Sequence, residues 1–584
     1  MSISPILLMQ TATHAAEPRT ADPVTLALTG ALPLVLLLAV LIALPVSFKL
    51  IKRYRRAVSK SMKTPASQAA AATAHDAATP APPYQHPVQT TLDVAVIDQS
   101  SHIPTEPEAE ALYTDLVNAP RRAATIYAVA GACYALVMAL CYVAAINSAS
   151  PLSILFQFSI HAWPIVLTVN LVAAATRRKK LLTVLVYFLV YAVVGVIALV
   201  GSGITPSQIV LAWLAGNLVP TLILLTFLNR RVRAVGPLVL IFMFLATLGA
   251  QLALVALSLA IYSEGTLRSV IQDGVNSWFG PYLTFFGIAA AGFIIVWPAG
   301  WLTLRWIRSR YERKKINDQS ITLDSVWLMF GVFSSIVLAF EGVWWVFSGL
   351  AAFAAYKVVA LAGFSLFGRK TSRSRKPPKL LLLRVFSLEK QSANLFGALE
   401  KHWRHVGSIQ LIAGADLATS TLEPHEFLDF LSRKLARRFI DGDETLNRKM
   451  SEMDLEPDGD GRFRVNDFFC HADTWKPVLT RLVSDSDAVL MDLRSFSEKK
   501  KGCIHEINEL INIAPLEKVD IIVDDTTDEK FLRAQLKKSW EQMPPTSPNR
   551  LSASKQIRLF RFTGEHGGEL QQLLRALSVA ASPA

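Results

Sequence analysis

The sequence predicts a two-part chain: a polytopic α-helical membrane domain followed by a doubly wound α/β domain in the cytoplasm. Three observations predict it. Uncharged apolar runs recur through the first two-thirds of the chain, each close to the ~20 residues that cross a bilayer's hydrocarbon. Basic clusters flank alternate ends of those runs. From residue 379 short apolar runs alternate with amphipathic segments, the pattern of parallel strands joined by helices.

Composition agrees. Of 584 residues, 52% are apolar and 18% charged, which excludes a disordered chain and argues against a purely soluble one. The net charge of +13 is uneven. Residues 1–380 carry 31 Lys+Arg against 15 Asp+Glu, and residues 381–584 carry 28 against 31. The basic excess belongs to the hydrophobic half, so it speaks of membrane topology and not of nucleic acid. The expected partner is the lipid bilayer, and no nucleic-acid partner is expected. Cys133, Cys141, Cys470 and Cys503 have no disulfide or zinc spacing.

Nine spans are expected, at 25–48, 123–147, 152–175, 181–201, 207–228, 237–261, 281–304, 325–340 and 343–366. Residues 325–366 form one apolar stretch broken at Glu341-Gly342, which reads as a tight hairpin with a short first arm. Basic clusters at 49–56, 121–122, 177–180, 230–233, 305–315 and 369–376 fall on one side, and the opposite loops carry almost none. The N-terminus is therefore expected outside a cell (inner) membrane and the C-terminal domain in the cytoplasm. Residues 1–24 lack a basic n-region, so 25–48 reads as an anchor and not a cleaved signal. The expected organisation is an outside tail (1–24), a first transmembrane helix (25–48), a cytoplasmic linker (49–120), a polytopic membrane domain (121–367), a basic linker (368–378) and the α/β domain (379–584). Within the linker, 63–91 is rich in Ala, Thr, Pro and Gln and reads as flexible.

The polar residues inside the spans are His161, Asn170, Asn217, Gln251, Glu341 and Lys357. Ordinary roles suit them: amides join helices, a lysine near a span's end snorkels, and Glu341 sits at the outer surface. No span reads as holding paired carboxylates or a chain of ionisable groups.

In the α/β half, strands are expected at 379–386, 408–413, 488–493, 519–523 and 556–562, and helices at 391–405, 423–440, 473–484, 502–513, 527–541 and 567–580. Five strands with such crossovers suit a flavodoxin-like sheet. The acidic run Asp454 to Gly461 fits no calcium loop, because Val465 stands twelfth from Asp454 and Arg462 fifth from Asp458. It reads as a turn into an added strand, 463–469. Ligands of open parallel sheets bind beyond the strands' carboxyl ends. Asp416, Asp492, Asp524 and Asp525 fall there, placed to hold ribose hydroxyls or a hydrated Mg²⁺, or to cap turns. No phosphate loop and no G-x-G-x-x-G fingerprint occurs.

One stretch says more. In 484–510, SDSDAVLMDLRSFSEKKKGCIHEINEL, a buried strand ends in a Ser-containing loop and a helix opens with Gly502-Cys503-Ile504-His505-Glu506-Ile507. Upstream, Arg384-Val385-Phe386-Ser387 closes the first strand, Ala415-Asp416-Leu417 follows the second, and Asp473-Thr474-Trp475 opens the helix before the third. Over about 380–525 this resembles the TIR (Toll/interleukin-1 receptor) domain, with its helix motif W-C-x-x-E-[LI]. Gly502 stands where the family has Trp, the first strand lacks the Ser-Tyr end, and 441–467 has no counterpart. The resemblance implies a signalling or effector domain with NAD as substrate and Glu506 as the catalytic carboxylate. The fusion to a membrane part separately motivates the expectation that close approach of these domains in a homo-oligomer switches the effector. A first-turn carboxylate favoured by the helix dipole is the ordinary reading of Glu506. His505 and Cys503 point to different helix faces, which argues against a Cys–His nucleophile. Two other classes stay open: a non-enzymatic interaction module on a membrane anchor, and a transporter or channel with a regulatory cytoplasmic domain.

Overall fold

The computed structural model describes residues 23–63, 92–97, 106–147, 150–173, 177–202, 204–227, 235–262, 269, 273, 280–368, 376–384, 389–413, 427, 429–430, 435–552, 555–563 and 567–582. The chain divides into two compact units. One is formed by residues 1–51 and 123–367, the other by 52–122, 368–422 and 426–584.

The helical unit contains α1 (Pro23–Lys63), α2 (Pro107–Ala145), α3 (Pro151–His161), α4 (Trp163–Val172), α5 (Arg177–Ser202), α6 (Pro206–Phe227), α7 (Gly236–Tyr262), α8 (Gly280–Glu312), α9 (Asp318–Leu338) and α10 (Ser348–Phe367), with α1 and α2 also reaching into the other unit. Among the described residues seven helices are long and apolar enough to cross a membrane, α3 and α4 counting as one. Expected spans 25–48 and 237–261 coincide with α1 and α7. The α3–α4 break falls before Pro164, which has no N–H to continue the ladder.

The hairpin at 325–366 is present, and its turn is two short 3-10 segments around Gly342, whose φ of +155° suits glycine. Its first arm is not short. Asn317 caps α9 by accepting from the Ser320 N–H at 2.8 Å, and the Ser320 hydroxyl accepts from Asn317 N–H in return. The helix therefore starts at Asp318 and takes Asp324 inside.

The second unit carries one eight-stranded sheet, all of it parallel, in the order β1-β8-β7-β6-β2-β3-β5-β4. The strands are β1 (Asp93–Ile97), β2 (Lys379–Arg384), β3 (Ser408–Ile412), β4 (Phe439–Ile440), β5 (Val465–Cys470), β6 (Ala488–Asp492), β7 (Val519–Val523) and β8 (Gln556–Arg561). The five expected strands form its middle, and β5 is the added strand. β1, which pairs with β8 from within the expected linker, and β4 were not expected. β4 also corrects the helix expected at 423–440: Leu435–Arg438 is a 3-10 turn and Phe439–Ile440 a strand. Phe439, expected at the end of that helix, belongs to the sheet, packed on Phe469 at 5.6 Å.

The helices of this unit are α11 (Glu389–Trp403), α12 (Asp443–Ser451), α13 (Trp475–Asp485), α14 (Lys501–Ile513), α15 (Glu529–Glu541) and α16 (Gly567–Ala580). Strand residues alternate between faces. Leu381, Leu383, Val489, Met491, Ile521 and Leu559 join α13, α14 and α15 in one core. Leu380, Leu382, Leu490 and Ile522 are buried on the opposite face, where α16 packs on β6 and β7. Burial on both faces explains the unbroken run Leu380–Leu383 in β2.

Candidate functional site

The order of the sheet locates the site. From β2 the chain moves to β3 on one side, then returns through β5 to β6 on the other. β2 and β6 are neighbours without being consecutive, and in open parallel sheets this reversal opens a crevice at the carboxyl ends. Loop 493–500 follows β6 at that end of the sheet. Residues 385–388, after β2, lie outside the described residues, as does Asp416.

The loop after β6 is tightly held. Asp492, at the strand's end, is buried and receives two bonds from Arg494: Nε to Oδ1 at 2.8 Å and Nη2 to Oδ2 at 2.7 Å. The guanidinium also lies 5.7 Å from the Phe562 ring centroid. Ser495 adopts φ +57°, which turns the chain sharply for a non-glycine residue. Phe496 is fully buried and packs at a tilt on Phe531, with ring centroids 5.7 Å apart.

The neighbouring loop, after β7, is tied to this one. Ser495 and Thr526 hydroxyls meet at 2.7 Å, Thr527 Oγ1 donates to Leu493 O at 3.1 Å, and Asp528 N–H donates to Phe496 O at 3.0 Å. Asp524 Oδ1 accepts from the Thr526 N–H at 3.0 Å and from its hydroxyl at 2.6 Å, which makes Asp524 a turn-forming residue. Asp525 is exposed, with only a distant approach from Arg561 at 3.9 Å.

α14 opens directly beyond loop 493–500. Cys503, Glu506, Ile507 and Leu510 are all buried along it, so Glu506 shares the helix's inward side despite its charge. It is 3% exposed. Burial pushes the Cys503 thiol up to about 12, helped by the nearby Glu506 and Asp492 carboxylates. A thiol so placed is inert as a nucleophile. His505 is on another face, edge-on to Trp475 at 5.3 Å, and burial lowers its pKa. The expected lack of a Cys–His pair agrees with this separation. The structure thus brings Asp492, Cys503 and Glu506 together and leaves Asp524 and Asp525 at the next loop. Among the described residues no group of three or more His, Cys, Asp or Glu side chains is arranged to hold a metal ion.

Two charged clusters lie away from the crevice. In the sheet, buried Asp520 of β7 pairs with Arg558 of β8 at 2.6 Å; burial raises the carboxyl's pKa and Arg558 opposes it. Before β5, the acidic run is indeed a turn. Asp458 N–H donates to Arg462 O at 2.8 Å, Gly461 adopts φ +82°, and Arg464 binds Asp458 through Nη2 at 2.8 Å and Nε at 3.1 Å. Arg404, almost fully buried, donates to the Phe463 carbonyl and to Glu400, whose other neighbour is Arg462 at 3.4 Å. Both clusters join elements to one another. Arg494 was not anticipated, although its spacing of two from a strand-end Asp is the one signal that could have found it.

No protein family, curated protein or solved structure matches the chain.

Proposed function

We propose that the chain is a polytopic membrane protein carrying a cytoplasmic TIR-like α/β domain that acts as a signalling effector on NAD. The membrane part of this reading is supported by the seven candidate crossings together with the one-sided basic clusters. The fold part is supported by the strand order: β8-β7-β6-β2-β3 is the flavodoxin-like order, which a TIR domain shares. The observation that carries the chemical part is Glu506, a carboxylate 3% exposed in the helix that opens at the switch point. Such a group beside a bound nicotinamide ribose would stabilise the positive charge that develops as the glycosidic bond breaks.

The fragment 378–584 lacks β1, so the test uses the intact chain in detergent, alone and clustered on a surface. NAD consumption, followed by chromatography, is expected on clustering and is expected to vanish in Glu506→Gln. Equal turnover by the variant rejects Glu506 as the catalytic carboxylate.

A docking module is the second reading, and one observation favours it. Asp492 and Asp524 are already engaged by Arg494 and by the Thr526 turn, so neither carboxylate stands free to hold a ligand. On that reading clustered protein leaves NAD intact and captures a protein partner instead.

A further inference from the structure

The helical unit contains a partly buried charged pair between two of its helices, Asp324 being 18% and Lys357 28% exposed. Both carboxylate oxygens of Asp324 on α9 lie within hydrogen-bond distance of Lys357 Nζ on α10, at 2.8 and 3.0 Å. α9 is the central helix: 78% of its most apolar stretch is buried, against at most 50% in any other candidate span. Charges are costly in hydrocarbon, and where they occur they are paired and line an interior path or site.

One helical turn beyond Asp324, Trp327 lies between Tyr356 of α10 and Tyr134 of α2, with ring centroids 4.9 and 4.8 Å apart. All three side chains are fully buried. Tyr356 Oη has Trp327 Nε1 as its hydrogen-bonding neighbour and Tyr134 Oη has Ser334, yet among the described residues no partner meets any of these three atoms at good hydrogen-bond geometry. Each such group costs on the order of 1–3 kcal/mol if left dry. A run of three marks a polar interior that water, small and able both to donate and to accept, is suited to fill.

The polar run continues. Ser334 lies beside Tyr134. Ser335 Oγ accepts from the Gly349 N–H at 2.8 Å and lies 3.4 Å from Ser348 Oγ. Two turns past Tyr134, Tyr142 packs on His161 at 4.9 Å. Tyr127, Tyr134 and Tyr142 thus form a buried stripe along one face of α2.

We propose that this column is a hydrated proton path through the helical unit, with Asp324 and Lys357 as its exchange site. A proton arriving from water binds the Asp324 carboxylate, and the neutral acid no longer offsets Lys357. The lone ammonium then releases its own proton to the next water. Transfer of the bound proton from Asp324 to the amine restores the pair, so one proton enters and one leaves. The titratable groups nearest the pair are Tyr356 on α10, beside Asp324, and Tyr127 on α2, beside Tyr356; Tyr134 lies beyond, against Trp327. The Lys357 ammonium already occupies the cation position on Asp324, which favours a proton over an alkali ion as the transported species.

The test uses the full chain in liposomes enclosing a pH-sensitive dye, with potassium and valinomycin holding the potential. After an external acid step, internal acidification is expected to outpace that of protein-free liposomes. It is expected to be lost in Asp324→Asn and in Tyr356→Phe, the second of which keeps the ring and its packing. Flotation of the liposomes reports membrane insertion separately. A chain that does not float rejects the membrane reading and the path with it. A chain that floats without acidifying the interior, or either variant acidifying it at the wild-type rate, overturns the path alone.

Discussion

Gly349 of α10 lies so close to Gly331 of α9 that a methyl group on it would sit 2.2 Å from the Gly331 carbonyl oxygen. The reverse approach is looser, since a methyl on Gly331 would meet Gly349 O at 3.1 Å. Small residues that let backbones touch are the usual device for joining apolar helices. Here the device also fixes the distance between the helices that carry Asp324 and Lys357.

A graded outcome follows for the hairpin. Gly349→Ala forces backbone against backbone and is expected to lower the thermal stability of the intact chain in detergent by about 1–3 kcal/mol. Gly331→Ala requires a shift of a few tenths of an ångström and is expected to cost clearly less. Equal effects from the two substitutions would contradict the asymmetry of the contact.

The Asp492–Arg494 pair yields a second expectation. Each partner is nearly inaccessible, so removing one leaves a buried charge without its counter-ion. Arg494→Met is expected to destabilise the α/β unit by about 3–5 kcal/mol, and the double variant Asp492→Asn/Arg494→Met by less, because both charges are then gone. Urea unfolding followed by hydrogen exchange in β6 measures this. A double variant no better than the single one would mean that the pair's shape, and not its charge, holds the loop.

Asp458 makes stability depend on pH. Burial raises its carboxyl from 3.8 to about 6, against the pull of Arg464. A folded-state pKa above the unfolded one means that the folded chain binds the proton more tightly. Its contribution to stability is therefore complete below the unfolded value and is lost as pH rises through about 6. Between pH 7.5 and pH 5 the wild type is expected to gain about 1 kcal/mol relative to Asp458→Asn. Urea midpoints of both proteins at the two pH values check the sign, and a relative loss on acidification would show that the Arg464 bond dominates.

The reach of the sequence varied with the kind of signal. Strands buried on both faces announce themselves as unbroken apolar runs, and β2, β6 and β7 were legible for that reason. β1 and β4 were not: one is five residues in a mostly polar segment, the other only two, and both owe their pairing to partners distant in the chain. Asp324 was missed because a charge was taken as the end of an apolar run. The Asn317–Ser320 cap starts the helix earlier and carries that charge inward. At the crevice, the dual nature of Asp524 was legible, but the Thr526 contact that uses it needed coordinates. Arg494 closing onto Asp492 is a side-chain geometry that spacing alone leaves open.

The proposed division of the chain between lipid and cytoplasm is open to a direct chemical probe. Leu551 is 95% exposed and lies between α15 and β8 in the α/β unit, so Leu551→Cys presents an accessible thiol without disturbing a core. The native thiols of that unit do not compete. Cys470 and Cys503 are buried and raised to about 12, so the reactive thiolate is scarce at neutral pH. In intact cells an impermeant maleimide is expected to leave position 551 unmodified, and permeabilisation is expected to expose it. The basic clusters demand this outcome, because they assign the segment after α10 to the positively flanked side. Modification before permeabilisation would place the α/β unit outside, away from the cytoplasmic NAD pool on which the proposed activity depends.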